Sequence, residues 1–173
     1  LVAALVKLTT DADAHLRGAA VQVLGEGRRA EPEVQAALVK ALADGDALVR
    51  SRAAVALGKL GRAETVPALA TLLRDNGDRD PYLRHAGVMG LVLVGDRAAI
   101  AKLGDDASAS VRTGALPAMR RLGDAGVTRF LKDPELALVR EAARAINDAP
   151  IEAGIAALAA LGSDARVAQD PVV

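Results

Sequence analysis

The sequence predicts an all-α protein, a right-handed α-solenoid of about five stacked helical hairpins. Three observations lead to this prediction: the composition, a repeat of about 30 residues, and helical spacing within each repeat. Hydrophobic residues make up 51% of the 173 residues but include one Tyr and one Phe, so Ala, Leu and Val must supply the core. Ala and Leu favour helices, whereas strands usually draw on aromatic and β-branched side chains.

The repeat is an apolar residue followed by arginine, which recurs at spacings of 33, 34, 28 and 28 residues. An aspartate stands six residues before each arginine, or seven in the last unit. The pairs are Asp11 and Arg17, Asp44 and Arg50, Asp78 and Arg84, Asp106 and Arg112, and Asp133 and Arg140. A small residue follows each arginine by three positions, and a large apolar residue follows the first four by seven.

Each arginine is predicted to lie early in the second helix of a hairpin. In the second unit, Val49, Ala53, Leu57 and Leu60 form one apolar stripe at helical spacing. An Asp-Pro pair at 80–81 and another at 133–134 are typical of an N-cap followed by the first helical residue. Pro117 falls inside a predicted helix and is expected to kink it.

The first helices of the hairpins are predicted between these second helices. They cover 33–43, 64–73, 97–103, 125–132 and 151–161. The repeat array is therefore assigned to 1–162, with units of roughly 1–30, 31–62, 63–95, 96–123 and 124–149, a final helix at 150–162, and a polar tail or linker at 163–173. The apolar start at 1–8 has no polar cap, so further repeats or another domain are expected before it.

The recurring aspartates and arginines are predicted to form a ladder of charge-assisted hydrogen bonds between successive units. Each arginine pairs with its own or a neighbouring aspartate in this interpretation. The alternative is an anion-binding stripe made by the five arginines.

The pattern D-x-x-x-x-(V/L)-R-x-x-A-x-x-A-L-G at 44–58 resembles HEAT repeats of the short HEAT-like, or PBS-lyase, type. This resemblance implies a scaffold or spacer that binds a protein or peptide partner, or neighbouring domains of the same chain. The segment 139–161 is also similar to HEAT segments of large planctomycete and verrucomicrobial proteins. That second likeness implies an alternative: a segment of a membrane-associated dehydrogenase and cytochrome c-type redox protein whose active site lies outside this chain.

Catalytic, cofactor and metal sites are not predicted. The chain has no cysteine, which excludes disulfides and thiolate ligands. His15 and His85 lie two repeats apart, and neither precedes a glutamate, unlike the paired His-Glu motifs of the HEAT-like enzyme deoxyhypusine hydroxylase. An EF-hand reading from Asp11 fails because Leu16 and Gln22 occupy its glycine and glutamate positions. A HEAT-like bilin lyase stays open, although no distinctive residue indicates one.

Nucleic-acid binding and membrane insertion are not predicted either. Lys and Arg together number 22, as do Asp and Glu. Phosphate binding needs a concentrated basic surface, whereas the arginines at 28–29, 120–121 and 129 are scattered. The apolar run at 88–95 is far shorter than a membrane-spanning helix. The compartment stays open between the cytoplasm and, for the redox alternative, the periplasm.

The third unit indicates a partner surface, because its helix YLRHAGVMGLVLVG is apolar on nearly every side. Such a helix is either buried in the stack or covered by another molecule. The candidate partner surface is Arg52, His85, Met89, Leu93 and Arg121. Burial of this helix within the solenoid is the competing interpretation.

Overall fold

The computed structural model describes residues 1–27, 31–148 and 151–163, and all regular structure within those ranges is helical. The α-helices are α1 (Val2–Leu8), α2 (Ala14–Glu26), α3 (Pro32–Ala41), α4 (Ala47–Leu60), α5 (Val66–Asn76), α6 (Pro81–Val94), α7 (Arg97–Lys102), α8 (Ala109–Arg121), α9 (Leu136–Asp148) and α10 (Glu152–Ala160). Short 3-10 helices cover Ala63–Thr65, Leu103–Asp105, Ala125–Lys132 and Leu161–Ser163.

The helices pair into five hairpins that stack side by side. The second helices α2, α4, α6, α8 and α9 form a continuous row in which each packs on the next. The first helices lie behind this row: α1 packs on α3, and α5 packs against both α6 and α8. In the fifth hairpin the 3-10 helix Ala125–Lys132 takes the place of the first helix and packs on α8 and α9. This arrangement is the predicted α-solenoid.

Two of the predicted helix starts agree with the structure, and one does not. Arg50 lies in the first turn of α4, and Asp80 caps α6 by accepting the backbone N–H groups of Tyr82 and Leu83 at 2.9 and 3.1 Å. The N-cap prediction for Asp133 is wrong, since α9 begins at Leu136. The Asp133 carboxylate instead accepts the N–H of Glu135 in a turn before the helix.

The helices α2, α4 and α6 approach each other closely. A Cβ added at Gly25 would lie 2.5 Å from the Cβ of Ala56, and one at Gly58 would lie 2.6 Å from the carbonyl oxygen of Gly90. Glycine at these positions therefore lets α2, α4 and α6 touch almost backbone to backbone. The Leu-Gly that ends the repeat pattern is explained by this contact.

In the third unit the small residue three positions after Arg84 is Gly87, and it makes room for α5. A Cβ at Gly87 would lie 2.8 Å from a methyl carbon of Leu73 on α5. Leu73, Leu91 and Met119 are fully buried, and they belong to the core that runs between the two rows of helices.

Candidate partner-binding surface

Two of the repeat arginines join neighbouring hairpins through the same set of hydrogen bonds. Arg17 Nε and Nη2 donate to the two carboxylate oxygens of Asp44 at 2.7 and 2.8 Å, and Nη1 donates to the carbonyls of Asp11 and Ala12. Arg112 does the same with Asp133, at 2.8 and 3.0 Å. Each such arginine therefore holds its own turn and the turn of the next unit.

The aspartates also shape the turns that they occupy. The carboxylate of Asp44 accepts the backbone N–H of Asp46 at 2.8 Å, and Asp46 in turn caps α4. The hydrogen bonds from Arg17 are the main reason that the pKa of Asp44 is lowered. The same contact raises the pKa of Arg17, and the contact with Asp133 raises the pKa of Arg112.

The contacts between hairpins differ in and around the third unit. Asp78 has a left-handed backbone, with φ of 61°, and forms its ion pair with Arg84 of the same unit. Arg50 donates through Nη1 to the carbonyls of Asp44 and Gly45. Asp106 pairs with Arg74 of α5 at 2.8 Å.

Asp11 and Arg140 are the outermost residues of the predicted ladder. Asp11 accepts the N–H of Asp13 at 2.9 Å, and Arg140 lies half-buried in α9. Four of the predicted arginines, Arg17, Arg50, Arg84 and Arg112, thus donate to carbonyl or carboxylate oxygens of the chain itself. This geometry favours a structural role for them over an anion-binding stripe.

The row of second helices carries an open cavity of about 710 Å³ centred on α4. We call it the α4 groove. It is lined by residues of α2, α4 and α6: Gln22, Gly25, Glu26, Ala47, Leu48, Ser51, Arg52, Val55, Ala56, Lys59, Asp80, Tyr82, His85, Ala86 and Met89.

Large apolar side chains in the α4 groove are exposed to solvent. Leu48 is 51% exposed and Tyr82, the only tyrosine of the chain, is 84% exposed. Val55 and Met89, about two turns further along α4 and α6, are half-buried. The charged groups of the groove are partly paired, since Lys59 forms an ion pair with Glu26. The groove is thus an apolar surface with a small number of polar groups.

A second cavity of about 500 Å³ lies on the other side of α6, between α6, α8 and α9. His85 lines both cavities, and Arg121 and Glu141 line the second. Thr113 and Pro117 also line it. Because proline has no N–H, the carbonyl of Thr113 lacks the helical donor four residues later.

The structure brings together only part of the predicted partner surface. Arg52, His85 and Met89 line the α4 groove, and Arg121 contacts the sulfur of Met89 from α8. Leu93 is exposed but lies beside Gly58, outside the residues that line these two cavities. The third-unit helix is partly buried, with Leu83, Val88 and Leu91 in the core and His85 and Leu93 exposed.

Sequence reasoning did not single out the α4 groove. It centred the candidate surface on α6, with Arg52 and Arg121 at its flanks. The groove is instead centred on α4 and has Leu48 and Val55 along it. One signal was present: both α4 and α6 carry a large apolar residue two positions before the repeat arginine, at Leu48 and Tyr82. That position lies outside the apolar stripe, so a large apolar side chain there indicates exposure.

Other kinds of site find no support in the described ranges. No group of three or more His, Cys, Asp or Glu side chains there is placed to hold a metal ion. Arg120 is paired with Glu141 and Asp148, and Arg129 is paired with Asp105. The arginines at 28–29 lie outside the described residues. None of the helices in those ranges combines the length and apolar character needed to cross a bilayer.

Comparison with known proteins places this architecture among repeat proteins. Residues 2–80 match the family model described as HEAT repeats. The chain is similar to a chain in the complex of CpcE and CpcF of phycocyanin lyase from Nostoc sp. PCC7120, with 26% identity and a TM-score of 0.59 over 87% of this chain and 65% of that one. No curated protein sequence matches the chain.

Two further solved structures share the fold. Human deoxyhypusine hydroxylase in complex with glycerol is 22% identical, with a TM-score of 0.55 over 93% of this chain and 66% of that one. A designed armadillo repeat protein is 16% identical, with a TM-score of 0.50 over 99% of this chain and 93% of that one. The chain thus spans just under two thirds of the lyase and hydroxylase chains. Residues 2–80 thus match HEAT repeats, and the described chain as a whole is an α-solenoid similar to these repeat proteins.

Proposed function

We propose that this chain is a non-catalytic protein-interaction module that binds a segment of a partner protein in the α4 groove. The observation that carries the proposal is the open apolar groove of about 710 Å³ with Leu48 and Tyr82 exposed at its walls. Contiguous exposed apolar surface is costly in water and commonly marks a place where another molecule binds.

The helices beneath the groove form a rigid platform. The close contacts of Gly25 with Ala56 and of Gly58 with Gly90 fix the spacing of α2, α4 and α6. A groove held by such packing is preformed, so a bound segment does not have to order the receptor as well as itself. This supports binding of a peptide segment to the chain as it is folded here.

The polar groups of the groove favour binding over catalysis. The Asp80 carboxylate accepts two backbone N–H groups at the start of α6, and Glu26 is paired with Lys59. Catalysis needs a nucleophile, a base and an orienting group that converge on one point. Ser51 and His85 line the groove on different helices, and neither has a hydrogen-bonded side-chain partner in the described chain.

The likeness to a phycocyanin lyase chain supports a second candidate, binding of a bilin in the same groove. The groove has the size of a small-molecule site, which typically measures about 300–1,000 Å³. Titration of the chain with free phycocyanobilin, followed by its visible absorption, tests this candidate. A groove-dependent spectral change would favour it over a peptide partner.

Peptide selection tests the main proposal. Linear peptides of about 12 residues span about 40 Å when extended, more than enough to cross the three helices of the groove, which are spaced about 9 Å apart. A phage library of such peptides is selected on the wild-type chain, and the affinities of enriched peptides are measured by fluorescence polarisation. Binding is expected to weaken at least about tenfold in Leu48→Asp, which places a charge in the apolar groove.

Val39→Asp is the matched control, because Val39 is an exposed aliphatic side chain on α3, 38% accessible and away from the groove. It should leave peptide binding unchanged. Circular dichroism checks that both variants remain folded. Failure to enrich any peptide, or equal binding to both variants, would contradict the proposed function.

A further inference from the structure

We infer that the segment bound in the α4 groove is acidic as well as apolar, with a carboxylate that pairs with Arg52. The inference rests on the proposed function and specifies the chemistry of the partner. It is carried by the position of Arg52, by the charges around it, and by the apolar side chains next to it.

Arg52 is held in a defined place on the groove wall. It projects from α4 across Gly18 of α2, where an added Cβ would lie 2.7 Å from Nη1 of the guanidinium. Gly18 is buried and Arg52 is half-buried. A side chain at position 18 would displace the guanidinium, so the glycine provides the seat on which Arg52 lies.

Within the described ranges Arg52 forms no ion pair and no side-chain hydrogen bond. Lys59, which also lines the groove, is paired with Glu26. The Asp80 carboxylate is occupied by the backbone at the start of α6. The groove therefore presents one guanidinium without a carboxylate, and Arg121 adds another positive charge beside Met89.

A half-buried guanidinium without a counter-charge has lost part of its hydration and gained no compensating partner. A carboxylate from a bound peptide would supply charge-assisted hydrogen bonds, which arginine can make in pairs. A basic peptide would instead place like charges close together. Charge complementarity thus selects an acidic segment.

The apolar side chains of the groove lie directly beside Arg52. Leu48 and Arg52 are four residues apart on α4, so their side chains are neighbours on one face of the helix, and Val55 follows on the next turn. A partner that fits both features carries a large apolar residue adjacent to an aspartate or glutamate.

The test uses the peptides enriched on the wild-type chain. We expect a net negative charge in the enriched sequences and at least about tenfold weaker binding to Arg52→Glu. Arg52→Gln, which removes the positive charge but keeps a polar side chain that can donate hydrogen bonds, should weaken binding to a smaller extent. Arg97→Glu changes the same charge on α7 and should have little effect, since Arg97 is exposed and outside the groove. Replacing the peptide carboxylate by lysine should restore binding to Arg52→Glu.

The outcomes separate this inference from the proposed function. Peptides that lose binding in Leu48→Asp but are neutral or basic, or that bind Arg52→Glu unchanged, would overturn only the acidic partner. Absence of groove-dependent peptides would overturn both. A Leu48-dependent dimer in analytical ultracentrifugation that peptide does not displace would assign the groove to a second copy of the chain and overturn the inference.

Discussion

Arg17 on α2 holds Asp44, in the turn before α4, by two hydrogen bonds of 2.7 and 2.8 Å. Its third nitrogen donates to the carbonyls of Asp11 and Ala12, so one side chain fixes the relative position of two hairpins. The arrangement recurs between Arg112 and Asp133. Helix packing brings the hairpins together in a solenoid, whereas these contacts specify the register of the turns.

The buried Arg112–Asp133 ion pair should contribute more to the free energy of unfolding than an exposed pair of the same type. Asp133→Asn removes the charge that Arg112 binds, at a site where the two side chains are 5% and 9% exposed. We expect a loss of about 2 kcal/mol in the free energy of unfolding, because a hydrogen bond between charged groups is weakened in a buried place. Urea denaturation followed by circular dichroism measures it.

Asp78→Asn is the matched control for that variant. The Arg84–Asp78 pair is exposed, at 36% and 43%, and such pairs contribute about 0–1 kcal/mol. Asparagine also tolerates the left-handed backbone at this position. Equal losses of unfolding free energy in the two variants would show that burial of the Arg112–Asp133 pair has no energetic consequence.

The Arg17–Asp44 contact makes stability depend on pH in acid. The pKa of Asp44 in the folded chain is lowered, chiefly by the hydrogen bonds from Arg17, while an unfolded aspartate titrates near 3.9. The unfolded state therefore takes up the proton first, and the stabilisation is complete above about pH 4 and is lost as pH falls through the folded pKa.

Thermal unfolding of the wild type and Asp44→Asn between about pH 2 and 7 checks this expectation. The wild type should be the more stable at neutral pH, and the two midpoints should converge as the pH falls through the lowered pKa of Asp44 in the folded chain. A stability difference that stays constant over the whole range would mean that the Asp44 charge is not responsible.

The register of the solenoid could be predicted from sequence because the aspartate and the arginine recur at nearly constant spacing in each unit. The pairing of Asp78 within its own unit could not be predicted, because the DNGDRD turn has an aspartate at the same distance from its arginine as in the first, second and fourth units. There Gly77 and Asp78 both adopt left-handed backbone, which directs the carboxylate to its own unit. Distance along the chain does not determine that choice.

The α4 groove was equally hard to predict. Its shape depends on how closely α2 and α6 approach α4, and that spacing is set by pairs such as Gly58 and Gly90 that lie in different repeats. A sequence pattern shows which face of α4 is apolar. It does not show how much of the opposite face the neighbouring helices leave exposed.

Gly58→Ala tests the close approach of α4 and α6. The added Cβ would lie 2.6 Å from the Gly90 carbonyl oxygen and 2.8 Å from its Cα, and a backbone cannot move aside as a side chain can. We expect a loss of about 1–3 kcal/mol, which is typical of overpacking, measured by urea denaturation. The loss should appear although alanine is the better helix former.

Gly45→Ala is the control for Gly58→Ala. Gly45 is exposed, and an added Cβ there would meet nothing within 4 Å. Its stability should be unchanged or slightly higher, because alanine reduces the freedom of the unfolded chain. Gly58→Ala with wild-type stability would contradict the tight packing of these two helices.

Pro117→Ala and Pro81→Ala should change stability in opposite directions. Pro117 lies inside α8, where it deprives the Thr113 carbonyl of a donor, so alanine restores a helical hydrogen bond. We expect a gain of about 1–2 kcal/mol, which is less than the full cost of an interior proline because the unfolded chain also becomes freer. Pro81 is the first residue of α6, where its fixed φ suits the helix, so alanine should lower stability by about 0.5 kcal/mol. Thermal unfolding of both variants and the wild type measures the two effects. A loss of stability in Pro117→Ala would show that α8 has adapted to the proline and that the missing hydrogen bond carries no net cost.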